Sequence, residues 1–278
     1  MSIKLYNPIT PGLRKTSILI GKSENTSAPR KELIFAKKKH SGRNNTGKLT
    51  VRHQGAGVKQ YYRIVDFKGT DFLDKEATVV KFEYDPNRNC EIVLVKFDNG
   101  IFRYYLGVDG VKVGDKIITS KEKIFSKEGN RMPLEFIPAG TQISSVELIP
   151  GSGAKIARSA GAYVILMGLD GEFAQLKMPS SEIRIVSKKC LATVGVICNS
   201  EFKNVRWGKA GRMRYRGIRP TVRGKAMNTR EHPHGGGRGV NPIGLKAPKT
   251  LWGKKALGVK TRNRKKATNK FIISRRSK

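Results

Sequence analysis

The middle of the chain contains closely spaced short runs of Val, Ile, Phe and Tyr, separated by Gly, Pro, Asn and Asp. Runs of this composition and length are typical of β-strands. No long helical periodicity occurs among them. The pattern therefore predicts strands at residues 61–67, 77–84, 91–97, 101–106, 143–149, 163–169, 173–178, 183–186 and 192–198.

Two turn sequences predict hairpins in this strand-rich middle. Asp98-Asn99-Gly100 lies between two predicted strands, and Asn-Gly tolerates the positive φ angles of a type I′ turn. Asp170-Gly171 predicts a second hairpin. Many short strands joined by tight turns favour a mainly β fold built from small barrels or sandwiches.

Residues 121–138 contain charges, a glycine and two prolines, and resemble a connector. The strand-rich middle could form one large barrel or two small ones, and the connector favours two. We therefore expect two small barrels flanked by basic, irregular extensions. The predicted divisions are an N-terminal extension at 1–60, a first barrel at 61–125, a second barrel at 126–200 and a Gly-rich C-terminal extension at 201–278.

The positive charge is concentrated at the two ends of the chain. The 278 residues carry 56 Lys and Arg against 21 Asp and Glu, a net charge of +35. Residues 1–60 contribute +11, residues 61–200 only +2, and residues 201–278 the remaining +22. A domain with such an excess repels itself unless a polyanion neutralises it. Nucleic acid is favoured over a membrane, because no apolar run approaches the ~20 residues of a spanning helix and the first 15 residues lack a secretory signal's apolar core.

The C-terminal extension has few apolar residues, so it cannot bury enough surface to offset the entropy of ordering it. We expect it to be disordered alone and to become ordered on a polyanion with grooves. Its last part, from Lys260 onwards, is a plain polycation that would suit DNA, RNA or a nuclear address equally well.

Three segments carry candidate binding chemistry. Residues 41–59 mix glycines with Arg, Lys and Asn; glycines let backbone N–H groups approach phosphates, and Asn can read base edges. The alternative is a flexible, solvated linker. Residues 207–220 interleave Trp and Tyr with Arg and Lys, and aromatic faces stack on unpaired bases while guanidinium groups hold phosphates. A plain basic loop would not need those aromatic residues.

The third segment contains Glu231-His232-Pro233-His234 followed by three glycines. Two histidines without further nearby ligands are a poor match to a four-ligand zinc site. His232 oriented by Glu231 could serve as a general base, although one His beside one carboxylate is a weak signal. The simpler interpretation is a hydrogen-bonding, Gly-rich loop packed on RNA.

Other chemistry has little support in the sequence. Cys90, Cys190 and Cys198 lack metal-site spacing and are interpreted as buried, reduced thiols. Residues 151–155 contain glycines and a lysine at the wrong spacing for a phosphate-binding loop. GxSxG, HExxH and paired CxxC motifs are absent.

Several ordered motifs resemble a known family: the large-subunit ribosomal proteins called L-two in the bacterial naming. The resemblance runs essentially from end to end. The matching motifs are Gly42-Arg43-Asn44-Asn45, Arg52-His53, residues 62–67, residues 83–88, residues 157–161, residues 208–211, residues 219–224, residues 226–228, residues 232–237 and Arg275-Arg276-Ser277-Lys278.

The resemblance implies an OB-fold-like RNA-binding barrel followed by an SH3-like barrel. It implies a structural constituent of the large ribosomal subunit that binds its rRNA and supports subunit association, tRNA binding and the peptidyl transferase centre. A catalytic role has been proposed for the histidine that matches His232 in this family, and that proposal is disputed. Here Glu231, Thr229 and Arg238 replace residues that the family usually has around it, which weakens a catalytic interpretation. The family often has three glycines and a histidine where this chain has Gly55-Ala56-Gly57-Val58.

We therefore predict no enzyme activity, with His232 as the only weak catalytic candidate, and no cofactor or metal. Expected partners are large-subunit rRNA, small-subunit rRNA across the subunit interface, neighbouring ribosomal proteins and tRNA, in the cytoplasm or an organelle, without a membrane. The alternative is a general nucleic-acid-compacting or RNA-chaperone polycation. The predicted rRNA-binding residues are Arg43, Asn44, Asn45, Lys48, Arg52, His53, Lys59, Tyr62, Arg63, Lys68, Arg88, Arg158, Trp207, Lys209, Arg212, Arg214, Tyr215, Arg216, Arg219, Arg223, Lys225, Asn228, His232, His234, Arg238, Lys246, Trp252, Lys254, Lys260, Arg262, Arg264, Lys265, Arg275 and Arg276.

Overall fold

A computed structural model describes residues 2–21 and 28–276. Ser277 and Lys278, which end the resembling motifs, lie outside the described residues, as do Met1 and residues 22–27 of the predicted N-terminal extension. The chain divides into two compact units. Unit 1 comprises Met1–Lys38, Lys59–Arg212 and Lys270–Lys278, and unit 2 comprises Lys39–Val58 and Met213–Asn269.

All strands of the described chain belong to unit 1. They are β1 (Ser2–Leu5), β2 (Ser17–Ile20), β3 (Ile34–Ala36), β4 (Tyr61–Arg63), β5 (Glu76–Glu83), β6 (Ile92–Phe97), β7 (Phe102–Leu106), β8 (Lys116–Ile118), β9 (Arg131–Pro133), β10 (Gln142–Ser144), β11 (Val146–Glu147), β12 (Ala154–Ile156), β13 (Val164–Asp170), β14 (Phe173–Lys177), β15 (Ile183–Ser187), β16 (Leu191–Val194) and β17 (Ile272–Ser274). The helical elements are the short α-helix α1 (Ala210–Tyr215) and 3₁₀ turns at Lys31–Leu33, Leu134–Phe136, Ser200–Asn204, Gly224–Ala226 and Ala267–Phe271.

The first large sheet of unit 1 has four antiparallel strands in the order β7-β6-β5-β8. Strand β6 is buried on both faces. Val93 and Val95 pack into a core with the stacked rings of Phe72 and Phe97, while Ile92 on the opposite face packs into another core that includes Tyr104. Burial on both faces explains why residues 92–95 of β6 form a continuous apolar run rather than an alternating one.

The second large sheet has seven strands in the order β17-β15-β14-β13-β10-β16-β9, and every pairing is antiparallel. Its core contains Met132, Leu134, Ile143, Leu166 and Leu176, all nearly without solvent exposure. The predicted mainly β class is confirmed. In the described chain the hydrogen-bonded sheets are open, and none closes into a barrel.

Each of the nine predicted strand regions contains a strand, and both predicted hairpins occur. The predicted type I′ turn is wrong. Gly100 has a φ of 79° and its N–H donates to the Phe97 carbonyl oxygen, whereas Asn99 is not in the positive-φ region. A three-residue loop whose last residue is left-handed meets the same twist requirement as a type I′ turn.

The predicted connector at 121–138 is wrong in its second half. That half forms β9 and the 3₁₀ turn Leu134–Phe136, and Met132 and Leu134 lie in the core of the second sheet. One of the charges in this half, Arg131, is buried and pairs with Glu147 at 3.3 Å. The domain divisions at 60, 125 and 200 stay predictions.

Candidate nucleic-acid interface

Unit 2 is strongly cationic and has no hydrophobic core. Its two segments, described throughout, hold 20 Lys and Arg, and Glu231 is their single acidic residue. Gly42 is the only buried residue in these segments. Nearly all cationic side chains of unit 2 therefore face solvent.

Backbone hydrogen bonds join the two basic extensions within unit 2. The Arg219 N–H donates to the His53 carbonyl oxygen at 2.9 Å, and the Val58 N–H donates to the Tyr215 carbonyl oxygen at 2.9 Å. Between them lies Gly57, with a φ of 63°, where a Cβ atom would lie only 2.6 Å from the Tyr215 oxygen. Segments about 160 residues apart in sequence thus form one surface, which the sequence pattern did not predict.

The loop that carries the Arg43-Asn44-Asn45 motif is closed by its own side chains. The Oδ1 of Asn44 accepts from the N–H groups of Thr46 (3.0 Å) and Lys48 (2.9 Å). This oxygen is therefore occupied in holding the loop, while the side chains of Arg43, Asn45 and Lys48 are exposed. Such an arrangement presents cations at fixed positions rather than on a flexible linker.

The histidine loop is also internally bonded, and its bonding differs from a general-base pair. The Nδ1 of His232 accepts from the His234 N–H at 3.0 Å, and the Glu231 carboxylate accepts from the Asn228 N–H at 3.2 Å. The His234 Nε2 accepts from the Lys249 N–H at 2.9 Å. No described contact joins the Glu231 carboxylate to the His232 ring. The contacts therefore do not support the hypothesis that Glu231 orients His232.

The end of unit 2 is cross-linked by polar contacts. The Arg262 Nε donates to Asn269 Oδ1 at 2.7 Å, and Asn269 Nδ2 donates to the Arg264 carbonyl oxygen at 2.7 Å. The polycationic run therefore has a local structure although it buries no apolar side chain.

Unit 1 contributes a groove with aromatic and guanidinium walls. The Arg88 guanidinium lies 5.1 Å from the Tyr62 ring centroid and donates to the Tyr62 hydroxyl at 2.9 Å. Arg158 lies 4.8 Å from the Phe67 ring centroid. These four residues line a groove of about 320 Å³. Cation–π contacts hold both guanidinium groups in place. Arg88 also pairs with the buried Asp85 carboxylate, so in this groove it is the exposed Arg158 whose charge suits a phosphate.

The predicted binding residues differ in accessibility. Arg63 is buried, and its Nη1 donates to the Tyr61 carbonyl oxygen. Partly buried are Tyr62, Arg88, Trp207, Arg212, Lys225, His232 and His234. The exposed ones are Arg43, Asn44, Asn45, Lys48, Arg52, His53, Lys59, Lys68, Arg158, Lys209, Arg214, Tyr215, Arg216, Arg219, Arg223, Asn228, Arg238, Lys246, Trp252, Lys254, Lys260, Arg262, Arg264, Lys265, Arg275 and Arg276.

Two further cations lie beside the predicted ones. Lys155 lines a groove of about 860 Å³ with Lys68 and Arg158, and Lys37 lies 5.8 Å from the Tyr62 ring centroid. Lys155 lies in the glycine-rich segment 151–155, whose spacing does not match a phosphate-binding loop. For Lys37, the sequence offers no indication of a binding role beyond its charge.

The three cysteines are buried and unpaired with one another, as predicted. Among the described residues, no three His, Cys, Asp or Glu side chains cluster as metal ligands would. No described helix has the length and apolar composition needed to cross a membrane.

Comparison with known proteins identifies the family. The model of "Ribosomal Proteins L2, RNA binding N-terminal domain" matches residues 30–119, and that of "Ribosomal Proteins L2, C-terminal domain" matches residues 127–253. The chain is 51% identical over 277 residues to "Large ribosomal subunit protein uL2" of Mycoplasmoides gallisepticum, which covers 99% of this chain and 98% of that protein. It is 50% identical over 278 residues to the protein of that name from Mycoplasma pneumoniae, with 98% and 97% covered. The chain therefore belongs to the ribosomal protein L2 family.

Proposed function

We propose that this chain is a structural constituent of the large ribosomal subunit that binds the rRNA of that subunit. The observation that carries the proposal is unit 2, with 20 cationic residues, one carboxylate and no hydrophobic core, held together by backbone hydrogen bonds. A surface of this kind favours a polyanionic partner. Membership of a ribosomal protein family with an RNA-binding N-terminal domain supports rRNA as that polyanion.

The mechanism is charge neutralisation combined with shape. Lys and Arg side chains displace condensed counterions from phosphates, so the affinity falls steeply as salt rises. If ~10 phosphates were neutralised, the slope of log affinity against log salt would be about −9 on a duplex. In unit 1, the Arg158 guanidinium beside the Phe67 ring supplies a second cationic contact for a phosphate, and the Tyr62 ring adds an aromatic surface.

Ultraviolet crosslinking in living cells, followed by sequencing of the attached RNA, tests this proposal. We expect crosslinks in a few segments of large-subunit rRNA that map to residues 39–58 and 213–269 of the protein. Crosslinks spread over messenger RNA, or a preference for DNA, would instead favour a general nucleic-acid-compacting polycation.

The finer parts of the proposal concern additional partners. We include small-subunit rRNA across the subunit interface, neighbouring ribosomal proteins, tRNA, and support of the peptidyl transferase centre. The cytoplasm as the compartment of that ribosome is also part of the proposal. Family resemblance is the support for these parts, and crosslinks to tRNA and small-subunit rRNA in the same experiment would test them.

We further propose that His232 has no catalytic role. Its Nδ1 accepts a backbone N–H, and no described carboxylate orients its ring. In ribosomes assembled with His232→Ala, we expect the rate of peptide-bond formation to stay within a few-fold of wild type after correction for assembly. A loss of several powers of ten in that rate would contradict this part of the proposal.

A further inference from the structure

A groove in unit 2 combines apolar walls with the single carboxylate of that unit. It has a volume of about 530 Å³ and is lined by Val222, Met227 and Leu251, with Arg52 and Glu231 among its polar residues. A volume of this order accommodates a small planar ligand and its attached sugar. A carboxylate is out of place on a surface that otherwise meets phosphates, so it needs its own explanation.

The Glu231 carboxylate has one hydrogen-bond donor among the described residues. One oxygen of Glu231, Oε2, accepts from the Asn228 N–H at 3.2 Å, which orients the carboxylate at the turn. Within the described part of the chain, no donor contacts Oε1. Each carboxylate oxygen has two acceptor positions, so both oxygens can accept further hydrogen bonds from a ligand in the groove.

The ligand chemistry follows from these walls. The 20 cations of unit 2 favour a polyanion over an apolar molecule, and under the proposed function that polyanion is RNA. Apolar side chains contact the faces of a base only when that base is out of its stack, and its Watson–Crick edge is then available. Arg52 supplies a cation for the phosphate of the same nucleotide.

Guanine fits the carboxylate better than the other three bases. Its Watson–Crick edge presents two neighbouring donors, N1–H and the N2 amino group, which match the two oxygens of a carboxylate. The corresponding edges of adenine, cytosine and uracil each place an acceptor beside the donor, and that acceptor would face a carboxylate oxygen.

We propose that the groove lined by Met227, Leu251 and Glu231 holds one unpaired guanine of the bound RNA, whose N1–H and N2 amino group donate to the Glu231 carboxylate. This inference rests on the proposed function, since it requires rRNA on unit 2. It adds a base-reading site to a surface otherwise built for phosphates.

The test uses the full-length chain bound to transcribed large-subunit rRNA, probed with kethoxal. Kethoxal reacts with N1 and N2 of unpaired guanines, so it reports on the edge that Glu231 would cover. In Glu231→Gln the Asn228 N–H retains the amide oxygen, so the NH₂ group faces the guanine donors. The matched control is Glu201→Gln, which makes the same change of charge on the 3₁₀ turn Ser200–Asn204, outside the groove.

We expect one guanine to be protected by wild type and by Glu201→Gln and to react about tenfold more with Glu231→Gln, the scale of one bidentate base contact. Met227→Ala, which removes an apolar wall, should partly re-expose the same guanine, whereas Leu257→Ala at an exposed site outside the groove should not. If Glu231→Gln fails to bind RNA, the reactivity of the same guanine with Met227→Ala decides whether the groove holds it.

The inference would be overturned if every guanine reacted equally with wild type, Glu231→Gln and Met227→Ala while the protein still protected other parts of the rRNA. If the wild-type chain protected no part of the rRNA, the result would instead contradict the proposed function. The two failures are therefore distinguishable in one experiment.

Discussion

Unit 1 and unit 2 hold their shapes in different ways. Unit 1 packs sheets around side chains such as Ile143 and Leu176, which have no solvent exposure. Unit 2 has no buried side chain and relies on backbone hydrogen bonds and on Asn and His side chains that close its own loops. Hydrophobic burial is the dominant stabilising term in folding, and unit 1 has that term. Unit 2 lacks that term, and we expect its fold to depend on bound RNA.

The largest effect should come from the buried ion pair of unit 1. Arg131→Ala leaves the fully buried Glu147 carboxylate without its cation, which should lower the free energy of unfolding by about 3–5 kcal/mol. The exposed Arg219→Ala in unit 2 should change it by no more than about 0.5 kcal/mol. Urea unfolding of the full chain, followed by circular dichroism, measures both values. Equal destabilisation would show that unit 2 contributes to the cooperative fold.

A second effect concerns RNA affinity rather than stability. Replacing Lys246, Lys254 and Lys260 in unit 2 by Ala should make the log–log salt slope less steep by about 2 to 3, since each lost phosphate contact removes roughly 0.7–0.9. The exposed Lys96, Lys112 and Lys123 of unit 1 form a matched control with the same loss of charge. Filter binding to rRNA over a range of salt measures the slopes. Equal changes for both triple variants would mean that charge alone, without location, determines binding.

A third effect tests the pairing of the two extensions. Gly57→Ala places a methyl group 2.6 Å from the Tyr215 carbonyl oxygen, and Gly47→Ala, at a similarly positive φ, has no atom within 4 Å. Both variants carry the backbone strain of about 1 kcal/mol for a positive φ. Any difference between the two variants therefore reports the clash between the new methyl group and the Tyr215 oxygen. We expect only Gly57→Ala to leave residues 213–269 sensitive to protease when RNA is bound. Protection in both variants would contradict the role assigned to this pairing.

The smallest effect is confined to unit 1 and to high pH. Burial raises the pKa of the Cys90 thiol to about 11, above the ordinary value of about 8.5. The unfolded chain therefore loses this proton first as pH rises, and stability should decline between about pH 9 and pH 11. The free energy of unfolding should fall less between pH 8 and pH 10 in Cys90→Ala than in wild type. An equal fall in the free energy of unfolding in both proteins would mean that groups other than Cys90 cause the pH dependence.

The positions of most long strands follow from local sequence, because Val, Ile and Phe runs such as those of β5 and β6 pack on a pleated surface wherever they occur. Short strands were missed. Strand β12 lies in a glycine-rich segment and β17 in the basic tail, and each is a strand only because a partner strand lies beside it. The connector predicted at 121–138 was wrong in its second half for a related reason. Charges such as that of Arg131 indicate an exposed segment unless a distant residue, here Glu147, neutralises them.

The sequence by itself determined the charge distribution, the mainly β middle and the family, because composition, short-range patterns and motif order are properties of the chain alone. Only the tertiary structure decided that residues 53–58 pair with residues 215–219. It also decided that Arg63 is buried and that Glu231 lies in a groove with Met227 and Leu251. Those facts depend on contacts between residues far apart in sequence, and no local pattern specifies which distant segment satisfies a given hydrogen bond or charge.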